Sequence, residues 1–212
     1  MPKLTGNKGE WSEIYVFLRL LEVGRLYAAN ADLEKIDDVF YNIINIVRNE
    51  NIGTLEFRVD RQADKVTVYN TQDSTILAEL SVDEFTNAAN RLYQEIVAAN
   101  APSFSSINTE NFLDSIGVNT LKAKSGDKAD IHIKIHDINT GYEAVQGFSI
   151  KSRLGSASTL INAGKTTNFI YELIGATSDE IIEKFETCSK LFKQKMACLR
   201  EMGCSLQYIG ME

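Results

Sequence analysis

The chain has 212 residues, 44% of them hydrophobic, with two prolines and a formal net charge of −7. That length suits one domain, expected over residues 1–212, with a sizeable core, and the composition excludes long disorder. No stretch reaches the roughly 18 apolar residues of a membrane span, the opening MPKLTGNKGEWSEIY has no apolar h-region, and Cys188, Cys198 and Cys204 form no C-x-x-C pair, so a cytoplasmic protein with reduced thiols and no membrane partner is expected.

In chain order, apolar spacing predicts a helix from Glu10 to about Val23, then short strands within Arg25–Ala29 and Val39–Arg48. LEFRVD, KVTVYN and ILAELSV alternate like the strands of a meander joined by polar turns. Ser81 and Glu84 form a capping box that opens a helix to about Ala99, and the short helix NTENFLDSIG stops at Gly117. Two strands follow, ADIHIKIHD and YEAVQGFSIK, then a helical TNFIYELIG. Thr177 and Glu180 are expected to cap one long helix to about Met202, and CSLQYIG forms a last strand.

The charge is unevenly spread. Between Asn119 and Asn168 seven basic residues stand against four acids, a +3 island that leaves −10 on the remaining residues. Such an island suits a local polyanion site, although charge runs are commonly solvated faces.

In Asp130–Asp137 the residues Ile131, Ile133 and Ile135 alternate with Asp130, His132, Lys134 and His136, so one face is core and the other polar. A His132–His136 zinc pair fails, because four residues along a strand span roughly 13 Å. Folding the hairpin about Asn139-Thr140 sets Asp130 opposite Ser149, with Lys151 as the diagonal neighbour. A lysine near a carboxylate suits phosphodiester hydrolysis, the carboxylate holding Mg²⁺ and the ammonium orienting the attacking water. A cross-strand Asp–Lys ion pair of little energetic weight is the structural alternative.

ADIHIKIHD followed by G-F-S-I-K-S-R-L-G-S-x-x-T-L-I-N-A-x-x-x-T-N-F-I-Y-E, together with G-N-K-G-E-W-S-E-I-Y from Gly6 to Tyr15, resembles the HpaII family of type II restriction endonucleases. The resemblance implies an α/β (α+β) fold of the restriction-endonuclease-like PD-(D/E)xK type, a mixed β-sheet flanked by helices. It implies Asp130 as the motif aspartate, Lys151 as the motif lysine, and a Mg²⁺-dependent cut in double-stranded DNA at a short palindrome, CCGG for the family's namesake. Family members continue beyond a point like Glu212, so the chain is expected to be an N-terminal fragment. A palindrome calls for two-fold symmetry, hence a homodimer.

The usual second acid of the motif is replaced by Ser149, and Ser-x-Lys relatives take the missing carboxylate from a nearby helix. Two glutamates are candidates for that metal ligand. Glu172 lies twenty-one residues past Lys151. Glu13 has Val16, Phe17 and Leu20 at i+3, i+4 and i+7 in a helix apolar around most of its circumference, where a carboxylate needs a partner. Ile150 can offer its backbone carbonyl to the metal. Arg153, Lys165, Asn168 and Ser152 are the expected DNA contacts, with Thr166, Thr167 and Asn168 capping the helix begun at Phe169. GKTT at Gly164–Thr167 lacks the first glycine of a phosphate loop, so no nucleotide cofactor is expected. The competing class is a DNA-binding module of the same fold with an incomplete, inactive site.

Overall fold

The computed structural model describes residues 4–122, 129–154, 169–175, 178–188 and 191–211. The chain divides into two compact units, residues 1–158 and 159–212.

The first unit opens with α1 (Lys8–Val23). Asn7 and Glu10 close a reciprocal capping box, Asn7 Oδ1 accepting from the Glu10 backbone at 3.0 Å and Glu10 Oε2 from the Asn7 backbone at 2.7 Å. The helix ends at Gly24 in the left-handed region (φ 62°), where a Cβ would lie 1.8 Å from the Arg61 guanidinium. The left-handed turn favours glycine, and any added Cβ would also displace the Arg61 guanidinium.

Seven strands follow as one sheet: β1 (Arg25–Ala29), β2 (Lys35–Glu50), β3 (Gly53–Asp60), β4 (Lys65–Asn70), β5 (Thr75–Ser81), β6 (Ile131–His136) and β7 (Glu143–Phe148). Their order is β5-β4-β3-β2-β6-β7, with β1 paired to the first half of β2. Every pairing among the described strands is antiparallel, so the expected α+β fold carries an antiparallel sheet. Strand β2 starts earlier than composition suggests, because pairing with β1 draws the acidic stretch Lys35–Asp38 into an extended conformation. Helix α2 (Val82–Ala98) starts at the Ser81–Glu84 capping box, and α3 (Ile107–Ser115) gives way to Gly117 at φ 75°.

The core lies between one face of the sheet and the helices. Ile43, Ile46, Leu55, Phe57, Val66, Val68 and the three isoleucines of β6 meet Trp11, Ile14, Phe17, Leu18 and Leu21 of α1 and Phe85, Leu92 and Ile96 of α2. Each fully buried large side chain contributes roughly 1.5–3 kcal/mol of transfer free energy, and α1 carries five of them within four turns. That burial fixes the helix axially and rotationally, and with it the half-buried Glu13.

The second unit holds a two-stranded sheet, β8 (Phe169–Ile174) against β9 (Ser205–Met211), and two helices, α4 (Asp179–Thr187) and α5 (Phe192–Glu201). FIYELI, Phe169–Ile174, is thus a strand where a helix was expected. Its Phe, Ile and Tyr residues favour the pleated conformation once a partner exists, and that partner lies some thirty residues away. The expected long helix is two. Cys188 closes α4 by donating to Lys184 O, and Gln194 and Lys195 open α5 by donating to Leu191 O. Ser178, not Thr177, is the N-cap of α4, and Thr177 lies outside the described residues. No described helix is long and apolar enough to cross a membrane.

Candidate active site

The β6–β7 register follows the expected one: Ile131 faces Phe148, His132 faces Gly147, and His136 faces Glu143. Burial along β6 alternates, the isoleucines inside and His132, Lys134 and His136 on the other face. The histidines therefore belong to the outer face, where His136 Nδ1 lies 3.2 Å from Glu143 Oε1.

The ladder ends at Phe148, and a side chain takes over. The Asp130 backbone donates to Phe148 O at 2.9 Å, and the Ile150 backbone donates to Asp130 Oδ2 at 2.6 Å. Asp130 is half-buried, and its carboxylate fastens the segment that carries Ser149, Ile150 and Lys151. Ser149 and Lys151 are exposed. The Asp130–Lys151 ion pair does not form, and among the described residues Lys151 has no salt-bridge partner within 4 Å. Its ammonium is open to an anion.

Helix α1 places Glu13 near enough to Asp130 for the two charges to interact. Burial, reinforced by the negative charge of Asp130, pushes the Glu13 carboxyl up to about 7, while Lys122 and Arg48 pull it down and Glu10 pushes it up. Lys122 is itself anchored, its Nζ 2.6 Å from Glu10 Oε1, a contact that lowers the Glu10 pKa and raises that of Lys122. Two half-buried carboxylates that repel one another form a donor set that suits a divalent cation, whose charge removes the repulsion. Mg²⁺ asks for only one or two carboxylates, with water and other oxygens completing its shell. Glu13 and Asp130 meet that demand, and no group of three or more His, Cys, Asp or Glu poised for a metal occurs among the described residues.

Behind this pair lies a second cluster that sequence reasoning missed. Arg48 Nε contacts Glu50 Oε1 at 3.0 Å with both side chains almost wholly buried. Arg48 Nη2 donates to Thr120 O at 2.8 Å, and Glu50 accepts from the Asn119 backbone and the Thr120 hydroxyl. These bonds pin residues 119–120 and hence the approach to Lys122. A charged pair at i and i+2 on the inward side of β2 was the available signal.

The remaining candidates fall in different places. Ser152 is half-buried, its Oγ 2.9 Å from Ser12 Oγ on α1, while Arg153 is exposed. Glu172 lies exposed on β8 in the second unit, opposite Gln207, and so on a strand instead of the helix expected for it. Lys165, Asn168 and the GKTT stretch lie outside the described residues.

A profile of the HpaII restriction endonuclease family matches residues 7–212. Over 210 residues the chain is 34% identical to the type II restriction enzyme HpaII of Haemophilus parainfluenzae, an alignment covering 98% of this chain and 57% of that enzyme. The chain thus spans a little over half the length of that relative. No solved structure matches it.

Proposed function

The chain belongs to the HpaII restriction endonuclease family, and from that premise we propose that it carries the nuclease site of a type II restriction enzyme that hydrolyses double-stranded DNA with Mg²⁺. The observation that carries this reading is the Asp130 carboxylate bonded at 2.6 Å to the backbone one residue before Lys151, with the half-buried Glu13 near enough to feel the charge of Asp130.

Glu13, Asp130 and the Ile150 carbonyl would hold Mg²⁺, which when bound supplies Lewis acidity at a phosphate oxygen. Lys151 extends its exposed ammonium to a non-bridging oxygen of the scissile phosphate and steadies the charge that builds there. Asp130 orients this segment through Ile150, and Lys122 offsets part of the negative charge gathered by Glu10, Glu13 and Asp130. In the reaction a water oxygen bonds to phosphorus as the bond from phosphorus to the leaving sugar oxygen breaks. The water's proton is released and the leaving oxygen is protonated from solvent. Arg153, Lys165 and Asn168 are the proposed contacts to the DNA backbone or bases. A homodimer acting in the cytoplasm on a short palindrome, CCGG by resemblance, completes the proposal. Ser149, standing where the motif has its second acid, favours one alternative: a module that grips DNA without cutting it.

Plasmid incubated with the protein in Mg²⁺ and in EDTA separates the two. Discrete bands that require Mg²⁺ support the nuclease. Retarded but intact plasmid in Mg²⁺ overturns it in favour of the module.

A further inference from the structure

Resting on the metal-site reading above, we propose that Ser12 and Ser152 form a hydroxyl clasp that sets the spacing between the helix bearing Glu13 and the segment bearing Lys151. Both serines are positioning residues, and Ser152, a candidate DNA contact by sequence, turns inward for this purpose.

The hydrogen-bond directions follow from counting hydrogens. Ser12 is 2% exposed, and its hydroxyl lies 2.7 Å from Lys8 O, to which it donates. A hydroxyl has one hydrogen, so across the 2.9 Å contact Ser12 Oγ accepts and Ser152 donates. Ser152 Oγ in turn accepts from the Leu154 backbone at 3.1 Å. The result is a directed chain from Leu154 N–H through Ser152 and Ser12 to Lys8 O, each link polarising the next.

The location gives the chain its meaning. Ser12 immediately precedes Glu13, and Ser152 immediately follows Lys151. Strand β7 stops at Phe148, so no sheet ladder holds residues 149–152. Among the described residues, side-chain bonds hold them instead: Ile150 to Asp130 at 2.6 Å and Ser152 to Ser12 at 2.9 Å, with Lys151 between the two fastenings. Ile150 and Leu154 pack against the core on either side of it. One fastening reaches the motif aspartate and the other reaches the helix of its carboxylate neighbour, so the clasp links the groups that must converge on one ion and one phosphate.

The test uses the whole chain, Mn²⁺ as the probe of the metal site, and four variants: Ser12→Ala, Ser152→Ala, the double alanine variant and Ser152→Thr. Ser105→Ala, which removes the comparable exposed hydroxyl pair Thr5–Ser105 at 2.7 Å, is the control. Free Mn²⁺ is followed by its electron paramagnetic resonance signal, unfolding temperature is measured alongside, and single-turnover cleavage is split from DNA affinity. Each single alanine variant is expected to lose roughly ten-fold in Mn²⁺ affinity and in cleavage rate, with DNA affinity unchanged. The double variant should lose no more than either single one, Ser152→Thr should restore both readouts, and the control should match wild type. Wild-type Mn²⁺ affinity in the alanine variants overturns the clasp and leaves the metal site standing. A loss that tracks unfolding temperature and is not restored by threonine also overturns it. A wild-type protein that binds no Mn²⁺ overturns the metal site and the clasp together.

Discussion

Two clusters of charge, one of buried Arg48 and Glu50 on β2 and one of half-buried Glu13 on α1 with Asp130, are built on opposite plans. Around Arg48 and Glu50 every charge has a partner: an ion pair at 3.0 Å, a carbonyl for the guanidinium, and a backbone N–H and a hydroxyl for the carboxylate. Around Glu13 and Asp130 two carboxylates feel each other's charge, and burial together with that charge pushes Glu13 up to about 7. The first cluster holds the polypeptide in place. The second holds a carboxyl whose charge is disfavoured by burial and by Asp130, the electrostatic feature on which the proposed metal site rests. The difference lies in what each cluster has around it: protein groups complete the first, and the proposed Mg²⁺ would complete the second.

The largest expected effect falls on the open side of this contrast. Lys151→Ala should slow cleavage by about a thousand-fold while DNA binding weakens little and its salt dependence flattens by about one unit of slope. Quantitative cleavage assays and filter binding across salt concentrations check this, and near-normal cutting removes Lys151 from the chemistry.

On the closed side, Arg48→Ala should cost about 3–5 kcal/mol of stability, because it leaves the buried Glu50 carboxylate without its countercharge. Denaturant unfolding measures it. A loss under about 1 kcal/mol would place Arg48 among surface-like pairs and dissolve the contrast.

Glu13→Gln should move stability the other way. The folded carboxyl binds its proton more tightly than the unfolded one, so Glu13 loses stability as pH rises from about 4.5 to about 7 and penalises the metal-free protein above that. The amide removes the penalty, raising stability at pH 8 by about 1–2 kcal/mol, a figure reduced because Glu13 still reaches water, and changing nothing at pH 4. Unfolding with chelator present at the two pH values checks the sign. The same substitution should cut cleavage far more than Glu172→Gln, and the reverse ranking would make Glu172 the missing carboxylate.

The smallest effect is a titration. Asp130→Asn should shift the Glu13 carboxyl partway back toward the ordinary range, since burial, the larger cause, remains. Carbon-detected NMR of the Glu13 carboxyl would follow it. An unmoved midpoint means that the two acids do not interact.

Local signals in the sequence determined a good part of the first unit. The period-2 run of β6 and the polar turn at Asn139-Thr140 specified the register that pairs Ile131 with Phe148 and His136 with Glu143, because a hairpin's pairing depends only on its own turn and pleat. The Ser81–Glu84 box fixed the start of α2 for the same reason. The inward residues of α1 announced its packing, and so pointed to Glu13 before any partner was visible.

Contacts between distant residues were decided only by the tertiary structure. Ser12 and Ser152 are 140 positions apart, and Ile150 reaches Asp130 through a side chain that no periodicity describes. FIYELI carries residues that serve either a helix or a strand, and β9, far along the chain, settles it as a strand. The inward Arg48 and Glu50 are tolerable only because Asn119 and Thr120 fold back onto them. Local pattern chooses a conformation where the neighbours in sequence supply most of the free energy. Where the partner lies a hundred residues away, the choice belongs to packing and to the satisfaction of buried polar groups.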